Sequence, residues 1–260
     1  MSGADVCAVI YGAHPASLAA GLVRAVSSQS IAPDRVLREA GLSAAVAAGA
    51  ACPATWLWLV HASSVPRPDA LAQLLDAADS LGEPAPLLLS SCVLDETGQL
   101  RRDAIPRHEV FEKEHSVQAI EHRLVQLRTA SHGSVLVASH AVARVAPPRT
   151  GRGAGLDMLE WSARVLRRPT DTGYLVPASV VVRTGGLAAH PGRELTGRAR
   201  LLLGEAWRPT EKLWEALQLG LAAAEVLRSG MGRCGSAGLE PVTQPTEDDG
   251  QDRNREAVRV

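Results

Sequence analysis

Hydrophobic positions along the chain fall into short apolar runs that alternate with helical stripes. Val6 to Tyr11 (VCAVIY) is a nearly continuous apolar run, the pattern of a strand buried on both faces. Gly12, His14 and Pro15 break it, and Pro15 suits the first turn of a helix. That helix is predicted to reach about Ser28, with Leu18, Leu22, Ala25 and Val26 at helical spacing. Pro33 and Asp34 turn the chain into a second strand at Arg35 to Leu37. An Ala-rich helix from Leu42 to Ala51 leads into a further buried strand, Thr55 to Val60 (TWLWLV). Pro66 and Pro68 end it, and Asp69 is placed to cap a helix over Ala70 to Ser80.

Leu87 to Leu94 reads as a strand closed by the turn Asp95-Glu96-Thr97-Gly98, and Val117 to Leu127 as a helix. Gly133 to Ala138 (GSVLVA) is a strand, His140 to Val145 a short helix and Pro147 to Gly155 a loop. Met158 to Arg167 is helical, and Tyr174 to Val182 is a strand interrupted by Pro177. Strand and helix alternate, which implies an α/β domain with a mostly parallel sheet over residues 1–185. Residues 186–228 read as a helical extension, in which Glu211 to Leu227 carries one apolar stripe (Leu213, Trp214, Leu217, Leu221, Leu227). Residues 229–260, rich in Gly, Pro, Asp and Glu, read as a disordered tail.

Composition narrows the function classes. Of 260 residues, 46% are hydrophobic and 21% charged, which fits a globular chain with a proper core. Lys plus Arg is 27 and Asp plus Glu is 28, so the basic surplus of a nucleic-acid binder is missing. Aromatics at 3% leave little for base stacking. The four cysteines (Cys7, Cys52, Cys92, Cys234) form no CxxC pair and are expected reduced. Met1 to Asp5 has neither a basic n-region nor an apolar stretch, and no run approaches a membrane span, so a cytoplasmic protein is expected.

Three blocks in consistent order carry a resemblance. WLWLVHASSVPRPDALAQLL, from Trp56 to Leu75, resembles the strand, turn and helix around the metal motif of glycosyltransferase family 2 enzymes of the GT-A fold, in an actinobacterial flavour. GLDMLEWSARVLRRPTDTGYLVPASVVV, from Gly155 to Val182, is similar to that family's acidic helix and the strand with a Val-Pro pair. GSVLVASHAV, from Gly133 to Val142, looks like the strand and helix on the acceptor side. The resemblance covers about residues 5 to 185 and implies a GT-A-like sheet flanked by helices. It also implies a nucleotide-diphosphate sugar as donor and a carbohydrate or cell-wall acceptor.

Such a transferase stabilises its leaving diphosphate with a divalent cation held by carboxylates, and an inverting one needs a carboxylate base. Here the metal carboxylate positions hold Ala62 and Ser63 beside His61, so Mn²⁺ or Mg²⁺ has no assigned ligand. Asp157 matches the first acid of the acidic helix and Glu160 the third, while Met158 fills the position of the usual base. The resemblance makes Asp157 and Glu160 the catalytic candidates. It makes His61, Ser63, Glu39 (after the second strand), Trp161 and Arg183 (at a frequent metal-His position) the substrate-binding candidates. A metal-independent route would use Arg183, Arg149 and Arg152 as charges on the diphosphate. Asp157 can equally serve as helix N-terminal charge, and Glu160 as an i,i+4 partner of Arg164. His14 and His132 join His61 as strand-end histidines.

Two readings stay open: a glycosyltransferase with unusual or no metal dependence, or a catalytically inactive pseudo-glycosyltransferase serving as a binding or scaffold partner. Protein contacts or homo-oligomerisation would run through the C-terminal helices.

Overall fold

Apolar runs too short for helices satisfy their backbone polar groups only by pairing, and here they pair into one sheet. The computed structural model describes residues 5–13, 16–100, 123–148 and 154–184, together with Lys212, Ala216 and Gly220. The extension over 186–228 (apart from those three residues, which are helical) and the tail at 229–260 lie outside the described residues.

The elements follow in the order β1 (Val6–Tyr11), α1 (Ala16–Ser27), β2 (Arg35–Glu39), α2 (Leu42–Ala50), β3 (Trp56–His61), β4 (Ser64–Pro66) and α3 (Ala70–Ser80). Then come β5 (Leu88–Leu94), β6 (Val125–Gln126), β7 (Ser134–Ala138), α4 (Ser139–Arg144), α5 (Ala154–Val165) and β8 (Gly173–Arg183). The eight-stranded sheet runs β2-β1-β3-β7-β5-β8-β4, with β6 also on β8. β1 is parallel to β2 and β3, and β5 to β8, whereas β7 is antiparallel to both its neighbours. The strands β2, β1, β3, β5 and β8 therefore share one direction and end on one edge of the sheet.

β1 is buried at every position and β3 at all but its last, as their continuous apolar runs require. α2, α4 and α5 pack against one another, α1 meets β2 and β4, and α3 lies on β5 and β8. Trp58, Leu59, Leu71, Leu74, Leu88, Leu136 and Trp161 form the centre of the core.

Three expectations change. Val117 to Leu127 reads as a helix, yet Val125 and Gln126 form β6 against Leu175 and Tyr174 of β8, while 117–122 lie outside the described residues. The i,i+3 spacing of Leu124 and Leu127 imitates a helix, and pairing with β8 overrides it. β4 has no counterpart in the sequence reading. It is a three-residue edge strand ending in Pro66, a position where a missing N–H costs nothing. Asp69 stands at the N-cap of α3 but makes no side-chain capping bond. Gln29 does that work: its Oε1 accepts the Leu71 N–H at 3.1 Å, while its amide donates to Ala25 O (3.0 Å) and Arg67 O (2.9 Å).

Candidate functional site

The carboxyl ends of β1 and β3 lie side by side, Tyr11 opposite His61, and the chain leaves β1 toward β2 on one side while β3 flanks the other. Open α/β sheets bind ligands in the crevice at such a reversal. A cavity of about 400 Å³ opens here, lined by Ile10, Gly12, Ala13, Leu22, Arg38, Glu39, Ala40 and Ala62. Gly12 forms its floor at φ +111°, and a Cβ there would lie 3.1 Å from His61 Nε2, so both conformation and space call for glycine. Its N–H donates to Glu39 O at 3.1 Å, tying the ends of β1 and β2 together.

Beyond Ala62 the chain makes a tight turn. His61 Nδ1 accepts the Ser63 N–H at 3.2 Å and meets Ser63 Oγ at 2.7 Å. A ring nitrogen that accepts a backbone N–H carries no proton itself, which assigns a neutral His61 with its proton on Nε2. The Ser63 hydroxyl consequently donates to His61. β8 holds this turn from the far side: Arg183 stands across from Ser64, and the Thr184 N–H donates to Ser63 O at 2.9 Å.

Beneath the turn lies a buried layer. The Tyr11 hydroxyl donates to His132 O at 2.8 Å, and the His61 ring contacts both Tyr11 and His132 edge-on, each at 5.2 Å between centroids. His132 is set by its own loop. Arg128 Nη1 donates to Ala163 O at 2.6 Å and the Ala130 N–H to Ser162 Oγ at 2.9 Å, fastening that loop to α5. Burial pushes the Tyr11 phenol well above its ordinary value, with Arg183 pulling it down and Asp157 pushing it further up. Both charged side chains therefore reach the Tyr11 hydroxyl electrostatically.

The sequence candidates divide accordingly. His61, Ser63 and Glu39 are half-buried at the strand ends, Glu39 on the cavity wall. Asp157, in the first turn of α5, is 9% exposed and belongs to the Tyr11 layer. Arg183 is 1% exposed, so its guanidinium supports the turn and Tyr11 from within and offers almost no surface to a phosphate. Trp161 is wholly buried in the core and presents nothing to a ligand. Glu160 is gripped by Arg164, Oε1 to Nε at 2.9 Å and Oε2 to Nη2 at 3.1 Å, and Arg164 also reaches Ala146 O and Pro147 O. That i,i+4 pair staples the end of α4 to α5. Met158 is fully buried in the core. His14, Arg149 and Arg152 lie outside the described residues. Tyr11 emerges as a member of the site that no motif signalled, because its strand read simply as core.

A carboxylate-type cation site does not fit these residues. Ala62 has no donor atom, the Ser63 hydroxyl is engaged with His61, and His61 Nδ1 is taken up within the turn. Among the described residues no three His, Cys, Asp or Glu side chains converge as a metal group would require. Among them, too, no helix is long and apolar enough to cross a membrane.

No protein-family model matches the chain, and no curated protein matches it. Solved structures do share its fold. The mannosyltransferase PcManGT from Pyrobaculum calidifontis, in complex with GDP-Man and Mn²⁺, superposes at TM-score 0.54 and 12% identity, covering 90% of this chain and 81% of that one. GalNAc-T7 with UDP, GalNAc and Mn²⁺ superposes at TM-score 0.51 and 13% identity, covering 77% of this chain and 48% of that one. The chain thus spans about half the length of GalNAc-T7. The fold is GT-A-like, a mixed α/β architecture with a central eight-stranded sheet flanked by helices.

Proposed function

We propose that the protein binds a nucleotide-diphosphate sugar at the ends of β1, β2 and β3. It transfers the sugar to a hydroxyl of a carbohydrate or cell-wall acceptor, without a carboxylate-held cation. One observation carries this reading: a nucleoside-sized cavity at the reversal point of a GT-A-like sheet, with Glu39 on its wall and the His61–Ser63 turn beside it. The ordered sequence blocks support placing the chain as a divergent, actinobacterial-type relative of glycosyltransferase family 2. In the reaction the acceptor oxygen attacks the anomeric carbon, the bond to the diphosphate breaks, and the acceptor proton passes to a base. In this reading Asp157, in the first turn of α5, takes that proton.

A second reading has its own support. Met158 is buried and Glu160 is committed to Arg164, so the acidic helix keeps only one nearly buried acid for proton transfer. A protein of that kind would bind a nucleotide sugar or a partner and turn nothing over.

Thermal shift against a panel of nucleotide sugars, with and without Mn²⁺, tests both. Saturating donor should raise Tm by roughly 5–10 °C whether or not Mn²⁺ is present. No response to any donor overturns the proposal. Release of nucleoside diphosphate then separates the readings: in an active preparation Asp157→Asn should lower turnover by about 10²–10⁴-fold. Unchanged turnover removes Asp157 as the base, and donor binding without turnover in the native chain establishes the silent form.

A further inference from the structure

We infer that Cys7 and Cys52 are a redox site: they close a reversible disulfide that ties the start of β1 to the turn after α2, at the end of the sheet opposite the cavity. The two residues lie far apart in sequence and match no cysteine motif, yet the fold brings them together. Cys7, the second residue of β1, is 1% exposed, and Cys52, partly buried, packs against the same core. Cys7 stands beside Leu57 of β3 in parallel register, so their side chains point to one face of the sheet. That face carries α2, where Gly49 leaves no room for a Cβ against the Leu57 side chain. The Cys52 N–H donates to Gly49 O at 3.0 Å, which folds the turn back over the same spot. There the Cys7 thiol hydrogen-bonds to Cys52, and both are free thiols.

Backbone bonds hold the flanks of both partners. Asp34 Oδ2 accepts the Val6 N–H at 2.7 Å, and Asp5 O accepts the N–H groups of Thr55 (3.0 Å) and Trp56 (3.1 Å). Ordered sulfurs already in contact close a disulfide with little movement of the backbone. Cys92 has no such partner in Cys7: β5 is three strand spacings from β1, roughly 14 Å, and a disulfide spans no more than about 7 Å between Cα atoms. The oxidant is a small disulfide such as oxidised glutathione. Cys52, the more exposed thiol, gives its proton to solvent and attacks one sulfur of that disulfide; one glutathione leaves as thiol and the other stays on Cys52. Cys7 then attacks Cys52 Sγ, the mixed disulfide breaks, and the second glutathione leaves with the proton that Cys7 gives up. Two protein thiols are oxidised and one small disulfide is reduced to two thiols, so electrons and protons balance. The new bond closes a long loop through α1, β2 and α2, which removes freedom from the unfolded chain.

The test treats the full chain with excess oxidised glutathione, maps its peptides by mass spectrometry and follows Tm. The expected product links Cys7 to Cys52, carries no glutathione on either, and melts roughly 5–10 °C above the reduced chain. Dithiothreitol should reverse both changes. Cys7→Ala should retain glutathione on Cys52, and Cys52→Ser should leave Cys7 unmodified, with no such rise in Tm in either. Cys52 lies in a half-buried turn, so its variant keeps the test decisive where Cys7→Ala fails to fold. A lasting glutathione adduct on Cys52 of the native chain, both thiols left free, or a bond to Cys92 or Cys234 instead overturns the proposal. A Cys7–Cys52 bond with an unchanged or lower Tm is a link made at the expense of the fold, and it overturns the proposal as well.

Discussion

Tyr11 shows how a single side chain can organise a site it does not expose. Its ring fills the space beneath His61, and its hydroxyl satisfies the His132 carbonyl inside the protein, where no water competes. Tyr11→Phe keeps the ring and leaves that buried acceptor without its donor. The expected loss is about 1–3 kcal/mol in urea unfolding, with the m-value unchanged. Donor-induced stabilisation should persist, because the hydroxyl faces inward; its disappearance would mean that Tyr11 shapes the cavity directly. His61 and Ser63 illustrate the complementary case. A histidine and a serine two positions apart carry no signal in a sequence, yet the turn folds the hydroxyl onto the ring nitrogen and fixes the tautomer.

At the scale of elements, the strands were legible because burial on both faces writes itself as uninterrupted apolar runs, as in VCAVIY and WLWLV. What bridges elements was not. Gln29 caps α3 across 42 positions of sequence, a distance over which no local pattern speaks, whereas Asp69 stands where local rules put a cap and makes no such bond. Gln29→Ala should therefore destabilise by about 1–3 kcal/mol, and Asp69→Ala by no more than about 0.5 kcal/mol. Equal losses by thermal or urea unfolding would reverse the assignment. The serines behave like Gln29. Trp58 Nε1 donates to Ser134 Oγ (2.9 Å), Ser91 Oγ bonds both Ser134 and Ser179 (2.8 Å each), and Ser179 donates to Ala70 O (2.8 Å). This chain joins β3, β7, β5, β8 and α3 through the core. Ser179 reaches it because β8 bulges: three residues, Pro177 to Ser179, are inserted opposite the Ser91–Cys92 step of β5. The bulge also gives Pro177 a place inside a strand where it has no ladder bond to lose.

Over the whole molecule, the site was readable only where family resemblance reached it. Ala62, Ser63 and Met158 stand where the resemblance expects carboxylates, and among the described residues no His, Cys, Asp and Glu side chains gather into a metal-binding group. Two buried groups of β1, Cys7 and Tyr11, make alkaline stability a property of the fold. Burial, together with a hydrogen bond from the Cys7 thiol to Cys52, pushes Cys7 from 9.0 up to about 12, and burial raises the Tyr11 phenol above its ordinary 10.0. Both groups are neutral when protonated. In the folded chain they keep their protons above pH 9, while in the unfolded chain Cys7 ionises from about pH 9 and Tyr11 from about pH 10. The unfolded state then binds fewer protons, so stability falls as pH rises. Both contributions are fully present below pH 9, and each is lost at up to about 1.4 kcal/mol per pH unit above its unfolded value. Under reducing conditions Tm should be nearly level from pH 7 to 8.5 and decline steadily from pH 9 to 11. The double variant Cys7→Ala with Tyr11→Phe should start lower, having lost packing and a hydrogen bond, but decline less steeply across that interval. If its decline matches that of the native chain, the alkaline sensitivity arises in other groups, and Cys7 and Tyr11 do not set it.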